Sequence, residues 1–146
     1  ISGILLYEMK QLYSNEYKKV IMIITGKVRS GGGRSAEWME KLKDFYHERT
    51  GTLLFPGTLN VEVETEWSAP ESGLALAPGL YGGDVALTLI PCLFIGREAF
   101  IVRTAKAEAG EGVHPKTIVE VASDLNLRKV HRLKDGDEVK IEVLGK

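Results

Sequence analysis

The sequence predicts a mainly β protein: a small closed barrel of six strands, with one substantial helix over about residues 35–49 and a short helical turn near 126–132. Three observations predict it. Short runs rich in Val, Ile and Leu recur along the chain, each bounded by Gly, Pro, Asn or Asp, the residues that punctuate strands with turns. One stretch alone places apolar residues at helical spacing, so strands and helices do not alternate as a doubly wound sheet requires. The chain has 146 residues and neither an internal repeat nor a low-complexity tract, which suits one domain, and closure is how many short strands hide their edges.

The elements follow in order. Lys18 to Arg29 is the first strand; Gly26 within it marks a bulge or a close backbone approach. Ser30-Gly31-Gly32-Gly33-Arg34 is a loop that runs into Ser35, placed to cap a helix in which Trp38, Leu42 and Phe45 share a face and Gly51 ends the run. After the Pro56-Gly57 turn, Leu59, Val61 and Val63 alternate with Thr58, Asn60, Glu62 and Glu64, the pattern of a half-buried strand. Residues 68–83 read as a long loop. Asp84 to Phe94 and Ala99 to Arg103 form a hairpin about Gly96-Arg97-Glu98, with Pro91 demanding an edge or bulge position. A Gly-bearing loop over 105–112 leads to His114. Thr117 to Ala122, a helical turn at Asn126 to Arg132, and Glu138 to Val143 behind the Lys134-Asp135-Gly136-Asp137 turn complete the pattern. The barrel domain spans 17–146. Residues 1–16 are set apart as an N-terminal extension without an assigned role, since numbering opens at Ile1, so that either the start was trimmed or Met9 lies near a natural start.

Composition narrows the function. With 19 basic and 20 acidic residues the net charge is -1, which leaves no electrostatic footprint for nucleic acid or an anionic membrane, and neither partner is expected. The apolar run at Val20 to Thr25 is too short to span a bilayer, so a cytoplasmic location is expected. The single cysteine, Cys92, permits no intrachain disulfide and is expected in the core. A monomer is compatible with all of this.

Three groups carry chemistry. Gly31, Gly32 and Gly33, followed by Arg34 and a helix capped by Ser35, can turn several backbone N–H groups and one guanidinium toward a phosphate; the same sequence also serves as a plain linker. Thr58 and Asn60 face one way from a strand, so a hydroxyl and an amide oxygen could converge on magnesium whose charge a triphosphate balances, or they are ordinary exposed strand residues. Glu120 lies inside the apolar run Ile118-Val119-Glu120-Val121-Ala122, either on a solvent face or looking into a cavity where it can take a proton. His114 is a loop histidine or a binding group, while His47 and His131 read as structural.

In this order the elements resemble the archaeal-type CTP-dependent riboflavin kinases, small cradle-loop β-barrels. The resemblance rests on Gly26-Lys27-Val28 leading to Gly31-Gly32-Gly33, on Pro56-Gly57-Thr58-Leu59-Asn60, on His114 through Ala122, and on Leu127-Arg128 through Asp137, covering about residues 19 to 144. It implies transfer of the γ-phosphate of CTP to the 5′-hydroxyl of riboflavin, giving FMN and CDP, with one magnesium ion on Thr58 and Asn60. It further implies that Gly31 to Ser35 hold the phosphates, that Asn126, Leu127, Arg128 and Lys129 line the cytidine pocket, and that His114, Thr117 and Glu120 face the flavin. Glu120 is the candidate base. The glycine loop departs from the family pattern: Gly31 and Gly33 match, Ser35 replaces the third spaced glycine and Trp38 follows, which leaves the choice of nucleotide open.

Overall fold

The structure, a computed structural model, describes residues 19–31, 39–40, 43–71, 73–76, 86–111 and 115–145. Seven strands are present among them: β1 (Lys19–Arg29), β2 (Leu59–Val63), β3 (Leu74–Leu76), β4 (Leu87–Phe94), β5 (Arg97–Thr104), β6 (Ile118–Ala122) and β7 (Glu138–Gly145). Three helices accompany them, α1 (Lys43–Thr50), α2 (Ala105–Glu108) and α3 (Leu127–Val130). Every pairing is antiparallel, in the order β3-β4-β5-β6-β2-β1-β7, and a further β4–β7 pairing closes six of the strands into a ring. The closed six-stranded barrel is thus the one the sequence predicts.

β3 is the addition. It lies in the stretch read as loop and pairs Leu74, Ala75 and Leu76 with Leu89, Thr88 and Leu87. The same edge of β4 then passes to β7, where Cys92, Leu93 and Phe94 pair with Val143, Glu142 and Ile141. Pro91 stands between the two partners, a position where a missing N–H breaks no ladder to either. The hairpin turn also differs from expectation. Phe94 pairs with Arg97, so the turn is Ile95-Gly96, both at positive φ (50° and 74°), and β5 starts two residues before Ala99.

Strand alternation sorts the side chains. Val28, Leu59, Val61, Val63, Ile90, Cys92, Phe94, Ile101, Val119, Val121, Ile141 and Val143 fill the interior. Outside, Leu87, Leu89, Phe100, Val102 and Ala122 form a second cluster, covered by Met39 and Leu54. Met39 belongs to the expected helix, which the structure describes at 39–40 and over α1; residues 35–38 and the side chains of Leu42 and Phe45 lie outside the described residues. Gly26 is the close approach rather than a bulge: a Cβ there would come within 2.5 Å of the Glu62 carbonyl oxygen. Arg103 continues the inward register of Ala99 and Ile101, is 2% exposed, and stacks over the Trp67 ring at 5.2 Å. Its Nη2 donates to the carbonyls of Lys116 and Ile118, which fixes the backbone on both sides of Thr117.

Candidate functional site

The outer face of β1, β2 and β6 carries a polar row. Arg29 pairs with Asn60 and Asn60 with Glu120 across neighbouring strands, so the three side chains emerge on one side of the sheet. Thr58 joins them from the turn before β2, where Gly57 at φ 116° lets the chain reverse after Pro56. The Thr58 hydroxyl donates to Glu120 Oε1 at 2.9 Å and lies 3.4 Å from Asn60 Oδ1. Arg29 Nε donates to Glu62 Oε1 at 3.1 Å beside them.

Asn60 lies on the outer face yet is 6% exposed, because Gly31 packs directly on its amide; a Cβ at Gly31 would overlap Asn60 Nδ2. This contact brings the start of the glycine loop onto the Thr-x-Asn strand. Beyond them opens a cavity of about 320 Å³ whose walls are Arg29, Ser30 and Gly31 on one side, Phe55 to Asn60 at the base, and Ser123, Leu125, Asn126, Leu127 and Arg128 opposite. Asn126 caps α3, accepting from the Lys129 N–H at 3.1 Å, and Leu127 anchors that helix in the core at 4% exposure.

Asp135 spans two of these walls. Its carboxylate accepts from the Ser30 hydroxyl (2.8 and 2.9 Å) and from Arg128 Nη2 (2.7 Å), and these two donors, Arg128 first, hold the carboxyl below its usual range.

The residues singled out from the sequence therefore fall into groups. Gly31, Thr58, Asn60, Asn126, Leu127 and Arg128 line one cavity, and Glu120 is tied to Thr58 at its edge. Lys129 follows on α3 but is not among the lining residues. Thr117 opens instead on a second cleft of about 690 Å³, which shares Arg29 with the first and is bounded by Lys27, Glu62, Glu64 and Trp67. Gly32, Gly33, Arg34, Ser35 and His114 lie outside the described residues. His47 is exposed, and His131 meets Phe94 edge-on at 6.1 Å. Sequence reasoning passed over Phe55, Ser123 and Leu125, whose only signal was an aromatic before Pro56 and a serine just after β6; their convergence is a product of the tertiary fold.

Among the described residues no cluster of three or more His, Cys, Asp or Glu side chains forms a metal-ligand set. The oxygens of Thr58 and Asn60 nevertheless fit magnesium: two neutral oxygens 3.4 Å apart, with the Glu120 carboxylate 2.9 Å from Thr58, suit a small hard cation that keeps waters and takes the rest of its shell from phosphates. No helix among the described residues is long and apolar enough to cross a membrane.

Comparison with known proteins places this geometry in context. Residues 28–143 match the model of the family CTP-dep_RFKase, described as domain of unknown function DUF120. A protein of Thermococcus kodakarensis named riboflavin kinase is 30% identical over 129 residues, covering 84% of this chain and 59% of that protein. Riboflavin kinases of Staphylothermus marinus (27% identical, 81% of this chain, 88% of the relative) and Ignicoccus hospitalis (32% identical, 82% and 70%) are similar over much the same extent. The chain thus spans about three-fifths of the Thermococcus relative and a larger share of the other two.

Proposed function

The chain belongs to the CTP-dep_RFKase family, and on that premise we propose that it is a riboflavin kinase that moves the γ-phosphoryl group of CTP to the 5′-hydroxyl of riboflavin. The observation that carries the reading is the meeting of Gly31, Thr58, Asn60 and the α3 segment around one cavity, with Glu120 held at its edge. The riboflavin oxygen forms a bond to the γ-phosphorus in line as the bond to the β–γ bridging oxygen breaks, giving FMN and CDP. Such a transfer asks for positioning and charge stabilisation more than covalent chemistry. Thr58 and Asn60 would hold the magnesium ion. When bound, magnesium draws charge from the phosphate oxygens.

The residues divide the remaining work. The Thr58 hydroxyl donates a hydrogen bond to Glu120, which leaves oxygen lone-pair density to offer a cation. Glu120 receives the proton leaving the riboflavin hydroxyl. The Gly31 end of the loop lets backbone reach the phosphates, and the phosphate-binding role extends in this reading to Gly32, Gly33, Arg34 and Ser35. Asn126, Leu127, Arg128 and Lys129 bound the base, and Thr117 with His114 serve the flavin side, which the second cleft adjoins through Arg29.

Incubation with riboflavin, magnesium and each nucleoside triphosphate in turn, watching for FMN, tests the reading. FMN from CTP in preference to ATP, GTP and UTP is the expected result; FMN from another donor reassigns the nucleotide, and none from any donor rejects the activity. Thr58→Ala should lower turnover most at limiting magnesium, and unchanged turnover there rejects the metal assignment.

A further inference from the structure

We propose that Asp135 is a positioning residue for the nucleotide, fixing the Ser30 wall and the Arg128 wall of the cavity at one separation. Asp135 is not among the residues that line the cavity, whereas both of its donors are. Its Oδ1 accepts from Ser30 and from Arg128 together, so one atom joins the exit of β1 to α3. Arg128 is also steadied by the Leu133 carbonyl at 3.4 Å, which leaves the guanidinium with one favoured direction. The turn that carries Asp135 is itself clamped to β1: Val28 donates to the Asp137 carbonyl (2.9 Å) and Gly136 to the Val28 carbonyl (2.8 Å).

The turn does not need the Asp135 side chain. Asp137 Oδ2 accepts from the Lys134 N–H at 2.8 Å and closes the turn, and Gly136 supplies its positive φ of 93°. An exposed ion pair of this kind adds little to stability. A carboxylate beside a phosphate site would moreover repel the ligand if it acted by its charge alone. Orientation of Ser30 and Arg128 is the role that accounts for all three hydrogen bonds.

The two accounts differ in sign, which makes the test direct. This inference rests on the cavity being a nucleotide site, and the assay separates the two. Magnesium–CTP binding is measured by calorimetry for the unsubstituted chain and for Asp135→Ala, with FMN formation followed in parallel. Positioning predicts binding weaker by about tenfold, little change in Tm, and less than about a twofold further effect of Asp135→Ala in a Ser30→Ala/Arg128→Ala background. Unchanged or tighter binding by Asp135→Ala overturns the proposal. So does a full loss that persists in the Ser30/Arg128 background, and so does the absence of nucleotide binding by the unsubstituted chain. Binding by the unsubstituted chain without FMN formation sinks the kinase reading alone and leaves the Asp135 comparison decisive.

Discussion

At the scale of single residues, Gly31 and Cys92 show opposite kinds of constraint. Gly31 is small because Asn60 occupies the place of its side chain. Gly31→Ala must displace the Asn60 amide, the more deformable partner, so the effect falls on the site. Turnover should drop by at least about tenfold, since sub-ångström displacement of a positioning group carries penalties of that order, and a steady-state assay with a melting curve on the same sample checks it. Cys92 faces the barrel interior at 1% exposure, and burial pushes its thiol far above the usual range. Iodoacetamide at mildly alkaline pH should leave it unmodified in the native protein and label it in urea; labelling of the native chain at the rate of the unfolded one would show that the interior opens. That Cys92 is a core residue was legible from its apolar surroundings. The neighbourhood of Asn60 was not, because Gly31 reaches it only through the β1–β2 pairing.

At the scale of elements, the sequence was most readable where one period ran unbroken. Leu59, Val61 and Val63 all face inward, as their alternation required. β3 escaped because three residues give no period to count, and its pairing with Leu87–Leu89 is supplied by tertiary contact alone. α2 was read as loop on the strength of Gly110 and Gly112, although Thr104 caps it through the Ala107 N–H at 3.0 Å. The β4–β5 turn was misplaced for a physical reason: Ile95 sits at φ 50°, a region β-branched residues avoid, so no residue-type rule points to it. That strain is removable. Ile95 is 55% exposed, so Ile95→Asn loses little packing and should stabilise the protein by about 1 kcal/mol, read from urea unfolding. Nearby, Arg97 grips Asp124 through two hydrogen bonds of 2.6 and 2.8 Å, which lowers the carboxyl's pKa. A carboxyl depressed in the folded state contributes above its unfolded pKa of about 3.9 and loses that contribution as pH falls through the folded value. The Tm difference between the unsubstituted chain and Asp124→Asn should therefore shrink as pH falls below about 4; a constant difference would show that the pair is not formed in solution.

At the scale of the whole molecule, closure of the ring separates what holds the barrel from what works on it. The chain meets itself where Ile141 of β7 pairs with Phe94 of β4 on one side and Ile24 of β1 on the other, and Ile141 is fully buried. The polar row of the candidate site stands on the outside of β1, β2 and β6; its cavity meets the interior cluster at Leu59, Val121 and Leu127, and Ile141 does not line it. Removing the Ile141 side chain leaves a void that every strand of the seam borders, whereas Gly31→Ala disturbs one amide on the outer surface. Ile141→Ala should thus destabilise the fold by about 3 kcal/mol while the KM for nucleotide, measured well below the lowered Tm, stays within about twofold of the original. Gly31→Ala should give the reverse pattern, a damaged KM or kcat on a nearly unchanged melting curve. Both variants losing stability and nucleotide affinity in proportion would mean that the cavity and the interior yield together, and the separation of barrel from site would be wrong.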